Sequence, residues 1–156
     1  ISTRQQRLSK IYNAIQNNVQ EQLEGNVYSL NTQRLLCAFL YWGEGAKTGR
    51  CIKMSNSDPS LIKTFLKLFR ESFKLQEGKF SATLHLHEYH SREQQLIFWS
   101  KVTKIPKHRI GVYLKPNTGI RKKINYPGCI SVNYYDAKIF DALTAYYKRF
   151  SDILGA

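Results

Sequence analysis

The chain has 156 residues, enough for one domain with a modest core and too few for two full ones. Its 24 Lys and Arg outnumber 11 Asp and Glu for a formal charge of +13; folding needs no such imbalance, so a polyanionic partner is the natural reading beside a merely basic soluble protein. An aromatic content of 13% and a hydrophobic content of 42% exclude a disordered basic tail.

Residues 4–24, RQQRLSKIYNAIQNNVQEQLE, set Leu8, Ile11, Ile15, Val19 and Leu23 at steps of three and four, which predicts an amphipathic helix stopped by Gly25-Asn26. Residues 1–30 are read as a helical extension to a domain over 31–156. A second helix is expected from Thr32, as its N-cap, through QRLLCAFLYW to Gly43. It is apolar nearly all round, which places it in a core or at a subunit interface.

Strand and helix signals then alternate. RCIKMSNS (50–57) has period-two apolar positions at Ile52 and Met54, and the helix after it has Ser57 or Asp58 as cap and Pro59 in its first turn. That helix should bury Leu61, Ile62, Phe65, Leu66, Phe69 and Phe73. SATLHLHEY (81–89) predicts a strand and SREQQLIFWSKVTK (91–104) an amphipathic helix. GVYLK (111–115) and CISVNYY (129–135) are expected to form a hairpin around the basic loop PNTGIRKKINYPG. A last helix from Asp136 to about Leu154 should turn Ile139, Phe140, Leu143, Tyr147, Phe150 and Leu154 inward.

If Ile52/Met54, Leu84/Leu86, Val112/Leu114 and Ile130/Val132 face the helices, alternation sends Lys53, Ser55, Thr83, His85, His87, Tyr113, Lys115, Ser131, Asn133 and Tyr135 to the other face. Any solvated sheet face is polar, but the net charge and the loop residues Arg121, Lys122 and Lys123 favour a surface that reads nucleic acid through alternate side chains. Lys47 and Arg50 extend the candidate DNA contacts. Three cysteines without CxxC spacing suggest reduced thiols in an intracellular, soluble protein, in cytoplasm, nucleoid or organelle. No run approaches the ~20 apolar residues of a membrane span, so no membrane and no small-molecule substrate are expected.

His85, His87 and His90 lack the H-E-x-x-H spacing of a zinc pair and are read as surface or nucleic-acid-facing side chains. Glu44 is more telling. Negative charge is disfavoured at a helix C-terminus, whereas a divalent cation reverses that balance. Mg²⁺ is served by one or two carboxylates plus phosphate oxygens, and two chains could each bring one.

At this point CAFLYWGEG (37–45), with the strand, helix, later strand pair and terminal helix after it, resembles the LAGLIDADG homing endonucleases. The likeness spans about residues 32–154 and its specific part is short. It implies an α+β fold with an antiparallel saddle-shaped sheet, helices on one face and the motif helix at a dimer interface. It also implies a homodimer on double-stranded DNA, cleaving at specific sites with Mg²⁺ or Mn²⁺. By position, Glu44 and Gly45 match the metal-binding end of the motif, Ala38 a small packing residue, and Asn56 a polar residue near the metals. Lys53, Lys115 and Lys123 are candidates for the supporting base, and Lys115 and Lys123 join Glu44 and Asn56 as candidate catalytic residues. Leu35, Ala38, Phe39, Tyr41 and Trp42 become the expected dimer contact. Phe39 stands where the motif usually has glycine and Trp42 where it often has an acid or small polar residue. A DNA-binding regulator or RNA-splicing helper that lost cleavage is therefore the alternative. The first helix lies outside the resemblance. The start at Ile1 is read as that of a fragment or trimmed product, compatible with an upstream module.

Overall fold

The computed structural model describes residues 3–116 and 125–156. Within them the chain runs α1 (Thr3–Leu23), α2 (Leu30–Glu44), β1 (Ile52–Asn56), α3 (Pro59–Ser72), β2 (Phe80–Leu86), α4 (Arg92–Thr103), β3 (Ile110–Leu114), β4 (Cys129–Tyr134) and α5 (Ala137–Leu154). Asp58 caps α3 by accepting from Ser60 N, with Pro59 in the first turn as expected. Asp136 caps α5 by accepting from Lys138 N and Ile139 N. The cap of α2 is Ser29, whose hydroxyl accepts from Thr32 N. Thr32 lies inside the first turn rather than before it, so the helix starts earlier than expected.

The strands form one sheet in the order β1-β4-β2-β3. β4 pairs antiparallel with both β1 and β2, while β2 and β3 are parallel. The α+β class holds, but the sheet is mixed, not antiparallel throughout. The expected hairpin of β3 with β4 does not form, because β2 lies between them. Helix α4 supplies the crossover that a parallel β2–β3 pair requires. Gly128, just before β4, has φ +83, and a Cβ there would fall 2.6 Å from Leu86 Cδ2 and 2.9 Å from the His85 carbonyl oxygen.

The register puts Ile52, Met54, Phe80, Ala82, Leu84, Leu86, Ile110, Ile130, Val132 and Tyr134 on one buried face. Against it lie Ile62, Phe65, Leu66 and Phe69 of α3, Trp99 of α4, and Cys37, Ala38 and Tyr41 of α2, all in one apolar cluster with Phe140, Leu143 and Tyr147 of α5. Burying such side chains stabilises each by about 1.5–3 kcal/mol. Two of the buried polar ends are matched directly: Trp99 Nε1 donates to Pro127 O at 2.8 Å, and the Tyr134 hydroxyl accepts from Gln76 N at 3.0 Å. Leu154, expected inside, is 67% exposed at the last position of α5.

Helix α2 packs between α3 and α5. Its all-round apolar character therefore serves two neighbours, yet Leu36, Phe39 and Trp42 stay 37–44% exposed. No residue of α1 is buried. Among the described residues no helix is long and apolar enough to cross a membrane. The cysteines are free thiols, Cys37 buried and Cys51 and Cys129 half-buried.

Candidate functional site

Glu44 is the last residue of α2, and the chain then turns directly onto the edge of the sheet. Gly45 forms an antiparallel bridge with Met54, and Ala46 N donates to Lys53 O at 2.9 Å. That register sets Ser55 opposite Glu44. Asn56 Nδ2 donates to Glu44 Oε2 at 3.1 Å, while Asn56 Oδ1 accepts from Asp58 N at 2.8 Å. The second contact fixes the orientation of the Asn56 amide, so its donor end is held toward the carboxylate. The two residues picked out from the sequence as acid and water-holding partner thus meet. Glu44 is exposed, and Oε1 has no hydrogen-bond partner among the described residues.

Tension between an acid and the helix C-terminus is relieved locally. Lys47 Nζ donates to Tyr41 O at 3.2 Å and to Gly45 O, so an ammonium caps the last carbonyls of α2. The Tyr41 hydroxyl donates to Ala46 O, and burial pushes its pKa up to about 12. Lys47 was expected to touch DNA; its ammonium instead reinforces this turn. The Gly45 carbonyl, expected as a metal ligand, already holds that ammonium. A cation at the helix end is therefore left with Glu44 alone from this pair. Among the described residues no group of three or more His, Cys, Asp or Glu is placed to hold a metal. A hydrated Mg²⁺ accepts a single carboxylate when phosphate oxygens and water complete its shell, so Glu44 fits it as a partial ligand set that a second chain would double.

The outward sheet face carries Lys53 and Ser55 on β1, Ser131 and Asn133 on β4, Thr83 and His85 on β2, and Tyr113 on β3. Ser55 Oγ donates to Ser131 Oγ at 2.8 Å, and the His85 and Tyr113 rings lie 5.5 Å apart. Partial burial, followed by the charges of Lys115 and Lys53, lowers the pKa of His85 below the ordinary histidine value. Both lysines thus act electrostatically on this face. Lys115 follows β3, at the opposite edge from β1, three interstrand spacings of about 4.8 Å or roughly 14 Å from the Glu44 edge. The structure does not bring Lys115 to Glu44 within one chain; Lys53 is the nearer base. Arg50 pairs with Asp141 of α5 at the surface. Arg121, Lys122 and Lys123 lie outside the described residues.

His87 belongs to an aromatic cluster with Tyr89, His90 and Tyr126. Both ring nitrogens of His90 are engaged by backbone, Nδ1 with His87 N at 2.9 Å and Nε2 with Tyr126 O at 2.9 Å. This ties the end of β2 to the segment entering β4. The tyrosines were missed in the sequence because Tyr89 was read as the end of a strand that stops at Leu86, and Tyr126 lies in the loop before β4, where alternation gives no signal.

Of the expected dimer-contact residues, Ala38 and Tyr41 are fully buried within their own chain. They face α3, α5 and the sheet, so neither is available to a second copy. Phe39 and Trp42 remain half on the surface: Phe39 sits edge-on to Phe150 at 5.4 Å, and Trp42 stacks on Tyr147 at 4.9 Å. Leu35 lines an apolar groove of about 550 Å³ with Ala142, Tyr146, Phe150 and Ile153. Leu30 and Leu36, not singled out from the sequence, are further exposed apolar side chains of this helix.

No family model, curated protein or solved structure matches the chain.

Proposed function

We propose that the protein is a LAGLIDADG-type, site-specific DNA endonuclease that works as a homodimer. The observation that carries this reading is the Asn56–Glu44 hydrogen bond of 3.1 Å at the tip of a helix whose outer stripe is apolar, beside a polar and basic sheet face. Two copies meeting along that stripe would bring two Glu44 carboxylates together, each held by its own Asn56. The sheet faces would then lie against the major groove, with Lys53, Lys115 and the loop residues Arg121, Lys122 and Lys123 meeting phosphates, and Ser55, Thr83, Asn133 and Tyr113 meeting base edges. Glu44 would hold Mg²⁺ or Mn²⁺, which when bound lowers the pKa of water and stabilises the leaving oxygen. Asn56 orients the acid, and Lys53 adds positive charge near the cut phosphate.

A second reading is a DNA-binding regulator or RNA-splicing helper that does not cut. It is favoured by the packing of Phe39 on Phe150 and Trp42 on Tyr147, which keeps bulky rings on the stripe and holds two α2 helices apart. Cleavage of a randomised duplex library with and without Mg²⁺, in wild type and Glu44→Gln, separates the two. Metal-dependent cuts lost in the variant support the nuclease. Sequence-selective retention without cuts removes it in favour of the second reading.

A further inference from the structure

Helix α1 buries none of its residues among the described residues. All six large apolar side chains, Leu8, Ile11, Tyr12, Ile15, Val19 and Leu23, are 43–61% exposed. Leu8, Tyr12, Ile15, Val19 and Leu23 advance by four, three, four and four residues, which keeps them on one stripe. Most helical stability in proteins comes from covering such a stripe rather than from propensity.

The charges make the case sharper. Arg4, Arg7 and Lys10 occupy the first half of the helix, and Glu21 lies near its end with Glu24 just beyond; no acid stands in the first turn and no base in the last. This is the reverse of what the helix dipole favours, so the pattern weakens α1 as an isolated helix. An antiparallel neighbour of the same sequence removes the conflict. Its acidic end then lies beside the basic end at both ends of the pair, and its dipole opposes the first. A register in which paired positions sum to 31 also matches the stripe, with Leu8 opposite Leu23, Tyr12 opposite Val19, and Ile15 across the twofold from Gln16. A parallel pair would instead stack three like charges at one end and two at the other.

We infer that α1 is a homotypic pairing helix, docking antiparallel against α1 of a second copy of this chain through Leu8, Tyr12, Ile15, Val19 and Leu23. The surface is isologous, as a twofold contact requires. It is separate from the stripe of α2 and stands whether or not the protein cuts DNA.

The test uses the full chain with Cys51→Ser and Cys129→Ser, the two partly accessible thiols, as background. Leu8→Cys and Leu23→Cys are made separately, and each is oxidised alone and after mixing. A disulfide-linked species in the mixture, at several times the amount in either variant alone, is the expected result. Linkage of each variant to itself, as in a parallel pair, or none in the mixture overturns the inference. Ile15→Asp, at the centre of the register and with no core contact to lose, should abolish the link in that mixture while leaving circular dichroism of the domain intact. A link that survives Ile15→Asp also overturns it. Cleavage and DNA binding are read separately, so failure here leaves the nuclease reading untouched.

Discussion

Gly45 stands so close to Tyr41 that a Cβ on the glycine would lie 2.3 Å from both Cδ2 and Cε2 of the ring and 2.7 Å from the Tyr41 carbonyl oxygen. The backbone of Gly45 is extended, with φ −83 and ψ 157, so conformational freedom is not the reason for glycine here. Space is. The ring cannot swing freely, because it is fully buried and its hydroxyl is bonded to Ala46 O. Gly45→Ala should therefore destabilise the fold by about 1–3 kcal/mol, the range for overfilled cores, read as a lower midpoint in urea. A Tyr41→Leu double-mutant cycle should show coupling between the two sites; additive effects would place the clash elsewhere.

Asn56 acts on Glu44 and not on the core. Asn56→Ala removes the 3.1 Å bond to the carboxylate and the 2.8 Å acceptor for Asp58 N at a partly exposed position. Loss of a residue that orients a metal-binding group typically costs about 10–100-fold in metal affinity or activity. The expected outcome is a drop of that order in Mg²⁺-dependent cleavage with the Kd for DNA unchanged. A loss of DNA affinity with cleavage per bound complex intact would assign Asn56 to binding instead.

What the sequence made legible follows from what local pattern encodes. Period and caps located Pro59–Ser72 and Ala137–Leu154 closely, because Asp58 and Asp136 bond their own first-turn amides. Alternation also sorted most of the two faces of the sheet, since the same period of two governs any pairing partner, although Leu114, expected inside, is exposed at the edge and Ser131, expected outside, is buried. Which strand pairs with which is not a local property: Ile110–Leu114 and Cys129–Tyr134 alternate as a hairpin would, yet each pairs with β2, one parallel and one antiparallel. The Glu44–Asn56 contact was within reach, because a strand returning from the helix tip must pass the acid. The fate of Ala38 and Tyr41 was not. An all-apolar helix has no polar face to mark which side chains its own chain covers.

The ion pair of Lys79 with Asp136, 2.6 Å long, links the start of β2 to the cap of α5. The hydrogen bond from Lys79, then the one from Ile139 N, holds the Asp136 carboxyl below the usual aspartate range. A depressed carboxyl pKa gives stability that is fully present above the unfolded value of about 3.9 and lost as pH falls through the folded one. Asp136→Asn keeps an oxygen for Lys138 N and Ile139 N but removes the charge. The variant should be less stable than wild type at pH 7, and the gap should close below about pH 4. A gap that is constant down to pH 2 would rule out this pair as its source.

Charge on the sheet face should appear in binding as salt dependence. Replacing Lys53 by Ala should lower the slope of log Kd against log salt by about 1 and weaken binding to all duplexes alike. Arg121→Ala and Lys122→Ala should do the same. His85 behaves differently: partial burial, then the charges of Lys115 and Lys53, lowers its pKa below the ordinary value, so it carries less charge at pH 7 than a free histidine. Lowering the pH should let His85 strengthen binding only below about 6.5, and His85→Gln should erase that part of the gain. Binding of wild type and His85→Gln that rises in parallel as pH falls below about 6 would show that this histidine does not face DNA.

The exposed stripe of α2 can be separated from its buried side by two substitutions two residues apart. Leu36 is 44% exposed, so Leu36→Glu places a charge on the surface of the single chain and should change its melting temperature little. If two α2 helices meet along Leu36, Phe39 and Trp42, the same substitution buries two like charges in the contact. In an Ile15→Asp background, which removes the α1 pairing, self-association and cleavage should then fall together, each by at least tenfold. Ala38 has no exposed surface and sits against α3 and the sheet. Ala38→Leu should instead cost about 1–3 kcal/mol of folding stability by overfilling the core, with residual folded protein still associating. Light scattering and a urea melt on the two variants give the comparison. If Leu36→Glu leaves the association state and cleavage of the Ile15→Asp protein unchanged, the α2 stripe is not the contact that joins the two acids, and a Glu44 pair needs another axis.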